Sequence, residues 1–191
     1  MRLTFLVGSG PMNMSFIPPR SINTARLLLR PTRGSDADRA FEIQADWEVT
    51  RMLSMASFPP DRQEIGRWFT HHEQEWLAGE AYRFAVELED RMIGLVDIDD
   101  ITAREGSLGY WLDRAAWGRG YGFEAAHAVT RFAFQDIGLS RITAGHADDN
   151  LASGRILTKL GCTLLDTVQG FSRSRGENIA RRRYELTSFV A

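Results

Sequence analysis

Two periodicities of apolar residues run through the chain and predict its secondary structure. Alternation of apolar and polar residues is typical of half-buried strands, whereas apolar residues at intervals of three and four are typical of helices. The alternating pattern predicts strands at residues 25–31, 82–88, 92–99, 106–112, 140–147, 163–169 and 181–187. The helical pattern predicts helices at about 36–46, 61–78, 121–136 and 150–160. Strands and helices mixed along one chain in this way indicate an α+β domain.

The predicted helix that starts at Asp61 has the clearest boundaries in the sequence. Asp61 and Glu64 have the spacing of a capping box, in which side chains bind free N–H groups of the first turn. Gly79 is the residue type that most often ends a helix in the left-handed conformation. The apolar residues of the helix form one stripe: Ile65, Trp68, Phe69, Trp76 and Leu77. We expect this stripe to pack in the core and, in part, to line a cleft.

The predicted strand at 106–112 runs into a glycine-rich turn that opens the next helix. Gly118, Gly120 and Gly122 occupy alternate positions there, and glycine lets a ligand approach the backbone closely. The free N–H groups and the positive dipole end of the following helix form an anion site. The turn therefore predicts a phosphate cradle, although a tight strand-to-helix turn alone would explain the same glycines. The sequence is neither a P-loop nor a dinucleotide fingerprint, because no Gly-Lys-Ser or Gly-Lys-Thr follows and the third glycine comes too early.

A second segment, at 141–162, gives the turn a more specific interpretation. It reads as a short strand, then Asn150, then a helix that carries Ser153 in its first turn and ends at Gly161. Upstream lie Gly-Tyr-Trp-Leu at 109–112 and Trp-Gly-Arg-Gly-Tyr-Gly-Phe-Glu-Ala at 117–125. In order and spacing these strings resemble the GNAT superfamily of acetyl-CoA-dependent N-acetyltransferases, and most of all its branch of ribosomal-protein N-terminal acetyltransferases. The resemblance extends over about residues 22–188.

The resemblance implies a fold and a domain organisation. The fold would be the GNAT fold, whose mostly antiparallel central sheet of about seven strands is splayed at the middle and flanked by about four helices. A single acetyltransferase domain would occupy residues 21–191. Residues 1–20 carry only a short apolar run followed by Gly-Ser-Gly-Pro, and we expect them to form a flexible N-terminal extension.

The resemblance also implies acetyl-CoA as the cosubstrate and a set of residues that hold it. Its pyrophosphate would lie on the backbone amides of the turn, which are those of Gly118, Arg119, Gly120, Tyr121, Gly122 and Phe123. Its pantetheine would pair with the strand edge at Trp111 and Leu112, as an added strand does. Asn150 and the helix that follows it would lie near the thioester.

The acid that protonates the leaving thiolate departs from the common pattern. Many GNAT enzymes carry a tyrosine seven residues after the asparagine, and this chain has Leu157 there. In the branch that the chain resembles, the proposed acid is the serine three residues after the asparagine, which is Ser153 here. Alternatively, Ser153 only binds backbone in the first turn of its helix.

The general base is less well defined by the sequence. Where the branch often has a glutamate before its Gly-Tyr-Trp strand, this chain has Ser107, and Glu105 lies two residues earlier on the same strand face. We predict Glu105 as the base, against the alternative of a solvated surface carboxylate. An α-amine acceptor would need little help from a base, because a larger fraction of it is neutral at pH 7 than of a lysine side chain.

Composition limits the other possibilities. The chain has 23 basic and 25 acidic residues and a net charge of −2, which argues against a nucleic-acid interface. Its single cysteine, Cys162, is consistent with a reducing, cytoplasmic compartment. The sequence predicts no membrane span, and its histidines show no metal-ligand pattern, so we predict no metal site. A monomer and a homodimer are both compatible with the sequence.

Three functions remain open at this point. The first is an acetyltransferase that acts on a protein or peptide N-terminal amine. The second is the same chemistry on a small amine such as an antibiotic, polyamine or amino-acid derivative, which the acidic residues Asp97, Asp99 and Asp100 would favour if they faced the cleft. The third is a non-catalytic acyl-CoA-binding regulator that has lost its proton-handling groups.

Overall fold

The computed structural model describes residues 17–188. Within these residues the strands are β1 (Ile22–Asn23), β2 (Leu28–Pro31), β3 (Tyr82–Leu88), β4 (Arg91–Thr102), β5 (Glu105–Leu112), β6 (Arg141–Ala147), β7 (Thr163–Ser172) and β8 (Glu177–Leu186). The helices are α1 (Ala37–Gln44), α2 (Trp47–Thr50), α3 (Arg62–Ala78), α4 (Tyr121–Phe132) and α5 (Leu151–Lys159). Most of the extension predicted for residues 1–20 lies outside the described residues.

All eight strands belong to one sheet, in the order β1-β2-β3-β4-β5-β6-β8-β7 among the described residues. Every neighbouring pair is antiparallel except β5 and β6, which are parallel. The pairing of β5 with β6 runs from Glu105–Arg141 to Leu108–Ala144. Beyond it, the rest of β5 pairs with β4 and the rest of β6 pairs with β8. The predicted α+β fold, with its mostly antiparallel and centrally splayed sheet, is confirmed.

Helix α3 follows its sequence signals closely. The carboxylate of Asp61 accepts hydrogen bonds from the backbone N–H groups of Gln63 and Glu64, and Gly79 ends the helix at a φ of 72°. Ile65, Phe69 and Trp76 are buried, whereas Leu77 at the end of the predicted stripe is 54% exposed. The apolar stripe therefore packs in the core over most of its length but not at its last residue.

Several predicted boundaries differ from the structure. The first predicted strand begins at Leu28 rather than residue 25, because Thr24 and Leu27 close a turn through a backbone hydrogen bond. Helix α4 ends at Phe132, and one turn of π-helix continues it to Ile137. The last two strands are longer than predicted. Strand β7 lies at the sheet edge and is exposed along most of both faces, so no buried face marks in the sequence where the strand ends.

Two hydrophobic clusters cover the two faces of the sheet. The larger one joins α4 and α5 to the strands and includes Val96, Leu108, Leu112, Ala126, Val129 and Leu157. The smaller one joins α1 and α3 to the opposite face and includes Ala40, Ile65, Phe69, Ala85 and Leu95. Successive residues of a strand point to opposite faces, so neighbouring residues such as Leu95 and Val96 belong to different clusters. By the same alternation, each side chain of β5 points either to the face covered by α4 and α5 or to the face covered by α1 and α3.

Gly94 and Gly66 provide a matched test of this packing. A Cβ at Gly94 would lie 2.9 Å from the Cα of Leu112 and closer still to the carbonyl oxygen of Trp111, whereas a Cβ at Gly66 in α3 would meet nothing within 4 Å. We expect Gly94→Ala to lower the free energy of unfolding by about 3 kcal/mol and Gly66→Ala to raise it by about 1 kcal/mol. Urea denaturation measures both. Equal stability of the two variants would contradict the close approach of β4 and β5.

Candidate active site

The point where β5 and β6 separate carries a pair of hydroxyl groups. Asn150 caps α5, and its Oδ1 accepts a hydrogen bond from the N–H of Ser153 at 3.1 Å. Ser153 is 8% exposed, and its Oγ lies 2.7 Å from the hydroxyl oxygen of Tyr110 on β5. Asn150 therefore binds the free backbone N–H of this helix turn, and the hydroxyl of Ser153 is directed at Tyr110.

Tyr110 is a candidate functional residue that the sequence analysis quoted in a motif but did not assign. Burial raises the pKa of its phenol to about 12, so the hydroxyl stays protonated at neutral pH and can donate a hydrogen bond to Ser153. A signal for it was present in the sequence. Tyr110 alternates with Leu108 and Leu112 on β5, and this alternation places its side chain on the face that α4 and α5 cover.

The glycine turn has the backbone geometry of an anion site. Gly118 and Gly120 have φ values of 74° and 83°, and Gly120 is the residue that precedes α4. Turn conformations of this kind can direct backbone N–H groups into an anion-binding concavity, and the first N–H groups of α4 have no partner within the helix. A Cβ at Gly122 would lie 3.1 Å from the Cδ1 of Ile156, so this glycine also lets α5 approach α4.

The side chains around the turn contact protein. The indole N–H of Trp117 donates to the carbonyl oxygen of Leu112 at 2.9 Å, which ties the turn to the end of β5. Tyr121 is buried beneath the guanidinium of Arg26, and Phe123 lies beneath the ammonium of Lys159. The residues predicted to bind phosphate therefore offer their backbone amides, while their aromatic rings hold the turn in place.

A basic cavity of about 570 Å³ adjoins the turn. Its lining includes Arg26, Gly120, Phe123, Glu124, His127, Arg131 and Lys159. The volume is within the range of small-ligand sites, and the cationic side chains favour a ligand that carries phosphate groups.

Glu105 lies away from the hydroxyl pair. It is exposed at the start of β5, in the part that remains paired with β6, and Arg141 Nη1 donates to its carboxylate at 3.0 Å. Five residues of strand separate it from Tyr110, which is about 16 Å at the usual rise per residue. The structure therefore does not bring Glu105 together with Ser153 and Asn150.

The acidic residues on β4 differ in exposure: Asp97 is buried, Asp99 is half-buried and Asp100 is exposed. Asp97 is buried on the face that α1 and α3 cover, next to the guanidinium of Arg83, and its carboxylate would collide with a Cβ at Gly109. Burial, together with the neighbouring Asp99, raises the pKa of Asp97 to about 7. Arg83 is itself buried and also pairs with Glu75. The cluster would favour a polycationic acceptor only if it faced the cleft. Asp97 does not meet this condition.

Two further findings concern residues 17–188. No helix there has the length and hydropathy to cross a membrane. The same residues contain no cluster of three or more His, Cys, Asp or Glu side chains arranged to hold a metal ion.

Comparison with known proteins identifies relatives of the chain. The family model described as the acetyltransferase (GNAT) domain matches residues 26–163. The uncharacterized N-acetyltransferase YoaA of Bacillus subtilis (strain 168) is 30% identical over 146 residues, which cover 73% of this chain and 81% of the relative. RimL, a ribosomal L7/L12 alpha-N-protein acetyltransferase solved in complex with coenzyme A, aligns with a TM-score of 0.80 and 17% identity over 88% of this chain and 98% of its own. Mycobacterium smegmatis RimJ, solved with CoA-disulfide, aligns with a TM-score of 0.79 and 20% identity over 90% of this chain and 88% of its own.

Gly120 and Gly138 provide a matched test of the phosphate cradle. They lie at opposite ends of the α4 segment with φ values of 83° and 80°, so valine at either site meets similar backbone strain. We expect Gly120→Val to weaken acetyl-CoA binding at least about tenfold, because its side chain would obstruct the turn. Gly138→Val should leave the affinity unchanged. Isothermal titration calorimetry measures both, and an unchanged affinity in folded Gly120→Val would contradict the cradle.

Proposed function

Because the chain belongs to the GNAT acetyltransferase family, we propose that it transfers the acetyl group of acetyl-CoA to the α-amine of a protein or peptide, by direct attack in a ternary complex. One observation carries the proposal: the glycine turn and the Tyr110–Ser153 hydroxyl pair lie at the two ends of the part of β5 that no longer pairs with β6. RimL, to which the chain is structurally similar, is a ribosomal L7/L12 alpha-N-protein acetyltransferase, and this supports an α-amine acceptor.

The edge of β5 that no longer pairs with β6 is suited to the elongated shape of the donor. The diphosphate would bind the amides between Gly118 and Phe123, and the pantetheine amides would pair with the strand edge beside Trp111 and Leu112. The thioester would then lie near the start of α5, where Asn150 holds Ser153 in position.

The hydroxyl pair would stabilise the leaving group. The amine nitrogen attacks the acetyl carbonyl carbon, the carbon–sulfur bond breaks, and the electron pair stays on the CoA sulfur. Ser153 would donate a hydrogen bond to this thiolate, and Tyr110 would donate one to Ser153. A thiol has a pKa near 8.5, so stabilisation of the thiolate suffices at neutral pH and the proton lost by the amine can reach it through solvent.

Direct attack is favoured over an acetyl-cysteine intermediate. Cys162 is half-buried, and burial raises the pKa of its thiol to about 11. Only the thiolate is an effective nucleophile, so Cys162 is a poor acetyl acceptor at neutral pH.

The lack of a well-placed general base also favours an α-amine as the acceptor. At pH 7 an α-amine with a pKa of about 7.8 is neutral in roughly one molecule in seven, whereas a lysine of pKa about 10.4 is neutral in roughly one in 2,500. Glu105, the base predicted from the sequence, is paired with Arg141 and lies away from the hydroxyl pair, so the site gives an acceptor little help with deprotonation. An acceptor that deprotonates without assistance is therefore the one that this site serves best.

The two alternative functions lose support. A polyamine or aminoglycoside would need a cluster of carboxylates facing the cleft, and Asp97, one of the three in the predicted cluster, is buried beside Arg83. A non-catalytic regulator would have no use for a proton donor, and Tyr110 with Ser153 supplies one.

Ser153 and Tyr110 should contribute to turnover rather than to donor binding. We expect Ser153→Ala to lower kcat at least about tenfold, with little change in KM for acetyl-CoA, because its hydrogen bond strengthens as charge develops on sulfur. Tyr110→Phe should lower kcat less, and the double variant should match Ser153→Ala, since the two hydroxyls act in series. Tyr184→Phe, which removes a buried hydroxyl near His146, is the control. Full kcat in Ser153→Ala would restrict Ser153 to a structural role.

The acceptor can be identified from rates on paired peptides. We expect a lysine-free peptide with a free N-terminus to react faster than an N-terminally blocked peptide that contains lysine. The rate on the first should rise with pH through the pKa of its own α-amine, about 7.8, and Glu105→Gln should change it little. Release of free thiol from acetyl-CoA measures both. A faster blocked lysine peptide, or a polyamine preferred over every peptide, would contradict an α-amine acceptor.

A further inference from the structure

The segment before β2 holds the glycine turn from its outer side. Glu124, in the first turn of α4, accepts hydrogen bonds from Thr24 Oγ1 at 2.7 Å and from the backbone N–H of Arg26 at 2.8 Å. Nε and Nη2 of Arg26 both lie 2.7 Å from its other carboxylate oxygen. Thr24 in turn accepts the N–H of Leu27 at 2.9 Å, which closes the turn that presents these donors. The carboxylate of Glu124 is therefore bound from several sides.

Arg26 also contacts the turn itself. Its Nη1 donates to the carbonyl oxygen of Arg119 at 2.9 Å. Its guanidinium carbon lies 4.5 Å from the centre of the Tyr121 ring. A single side chain thus binds residues on both sides of Gly120, together with Glu124. We call this set of contacts the Arg26 clasp.

The clasp fixes the direction of one backbone amide. In a trans peptide the C=O and N–H groups point in opposite directions. Because the carbonyl of Arg119 points at Arg26, the N–H of Gly120 points away from Arg26, across the turn. Gly120 has a φ of 83° and no side chain. Because glycine restricts its own backbone little, the contact with Arg26 orients the Arg119–Gly120 peptide.

The clasp also balances a charge. Although partial burial alone would raise the pKa of Glu124, hydrogen bonds from Thr24 and Arg26 lower it, so the residue is ionised at neutral pH. A carboxylate in the first turn stabilises the helix dipole but repels an anion bound at the same helix end. Arg26 compensates this charge at hydrogen-bond distance.

We propose that Arg26 is a positioning residue for the donor: it orients the Arg119–Gly120 peptide and cancels the charge of Glu124, and thereby sets the affinity of the turn for the diphosphate of CoA. The inference rests on the proposed function only in taking CoA as the ligand of the turn. It assigns a role to a residue about ninety positions upstream of the glycine motif, in a segment to which the sequence analysis gave no functional residue.

The main test compares Arg26→Met with Arg20→Met. Arg20 is an arginine of the same segment that pairs with Asp136 near the other end of α4 and lies over Phe132. We expect Arg26→Met to raise the dissociation constant for CoA at least about tenfold and to raise KM for acetyl-CoA more than it lowers kcat. Arg20→Met should change neither quantity. Titration calorimetry with CoA alone gives the first quantity without any acceptor.

Two further variants separate orientation from charge. Arg26→Lys keeps the charge but cannot bind Glu124 and the Arg119 carbonyl with one planar fork, so its affinity should lie between those of wild type and Arg26→Met. Arg26→Met/Glu124→Gln removes the uncompensated carboxylate and should recover part of the lost affinity. Recovery of the affinity should be incomplete because the Arg119–Gly120 peptide still lacks its hydrogen bond from residue 26.

A donor without phosphate gives the specificity control. With acetyl-pantetheine, which lacks the diphosphate, wild type and Arg26→Met should have equal kcat/KM. An equal loss with both donors would mean general damage to the fold and would overturn the proposal. So would an unchanged CoA affinity in Arg26→Met, or a further loss in the double variant, which would mean that the Glu124 carboxylate supports CoA binding instead of opposing it.

The outcome is independent of the acceptor. If the protein binds CoA but acetylates no amine, the proposed function fails while the calorimetric comparison of Arg26 variants still stands. If the variants bind CoA equally and the enzyme acetylates α-amines, only the clasp fails.

Discussion

The separation of β5 from β6 after the Leu108–Ala144 pair is the constraint on which the rest of the site depends. A strand edge inside a sheet carries backbone donors and acceptors that need partners. The outer neighbours β4 and β8 hold the two strands in place on either side, so the gap is built into the sheet. In our proposal an extended ligand with amides of its own fills it. The turn at one end and the start of α5 at the other then set which part of the ligand lies where.

Beside the gap between β5 and β6, the two faces of the sheet have different chemistry. On the face of α4 and α5, Tyr110 and Ser153 form a neutral hydroxyl pair beside the proposed leaving group. On the opposite face, Asp97 and Arg83 form a buried charged pair at the level of Gly109. The alternation of side chains along β5 separates these environments by a single residue. A proton donor and a buried carboxylate can therefore lie close together along the strand without sharing a face.

Signals that are local in sequence predicted individual elements, whereas side-chain contacts between distant elements could not be predicted. The cap at Asp61, the end at Gly79 and the glycine turn before α4 each depend on residues within one turn of backbone, and the structure has all three elements. The Tyr110–Ser153 hydrogen bond joins residues on different elements, and no periodicity encodes such a contact. Glu105 was predicted from its strand face, but it lies at the start of β5, where this strand still pairs with β6. Where a residue lies relative to the point at which two strands separate depends on the pairing of the whole sheet.

The central claim is that acetyl transfer goes to an α-amine, and one measurement addresses it directly. A single peptide with one free N-terminus and one internal lysine is incubated with the protein and acetyl-CoA, and tandem mass spectrometry locates the acetyl group. Both amines then compete at equal concentration in the same solution. Acetylation at the N-terminal amine, with the lysine unmodified until the first reaction is complete, is the result that we expect. Acetylation first at the lysine would contradict the claim.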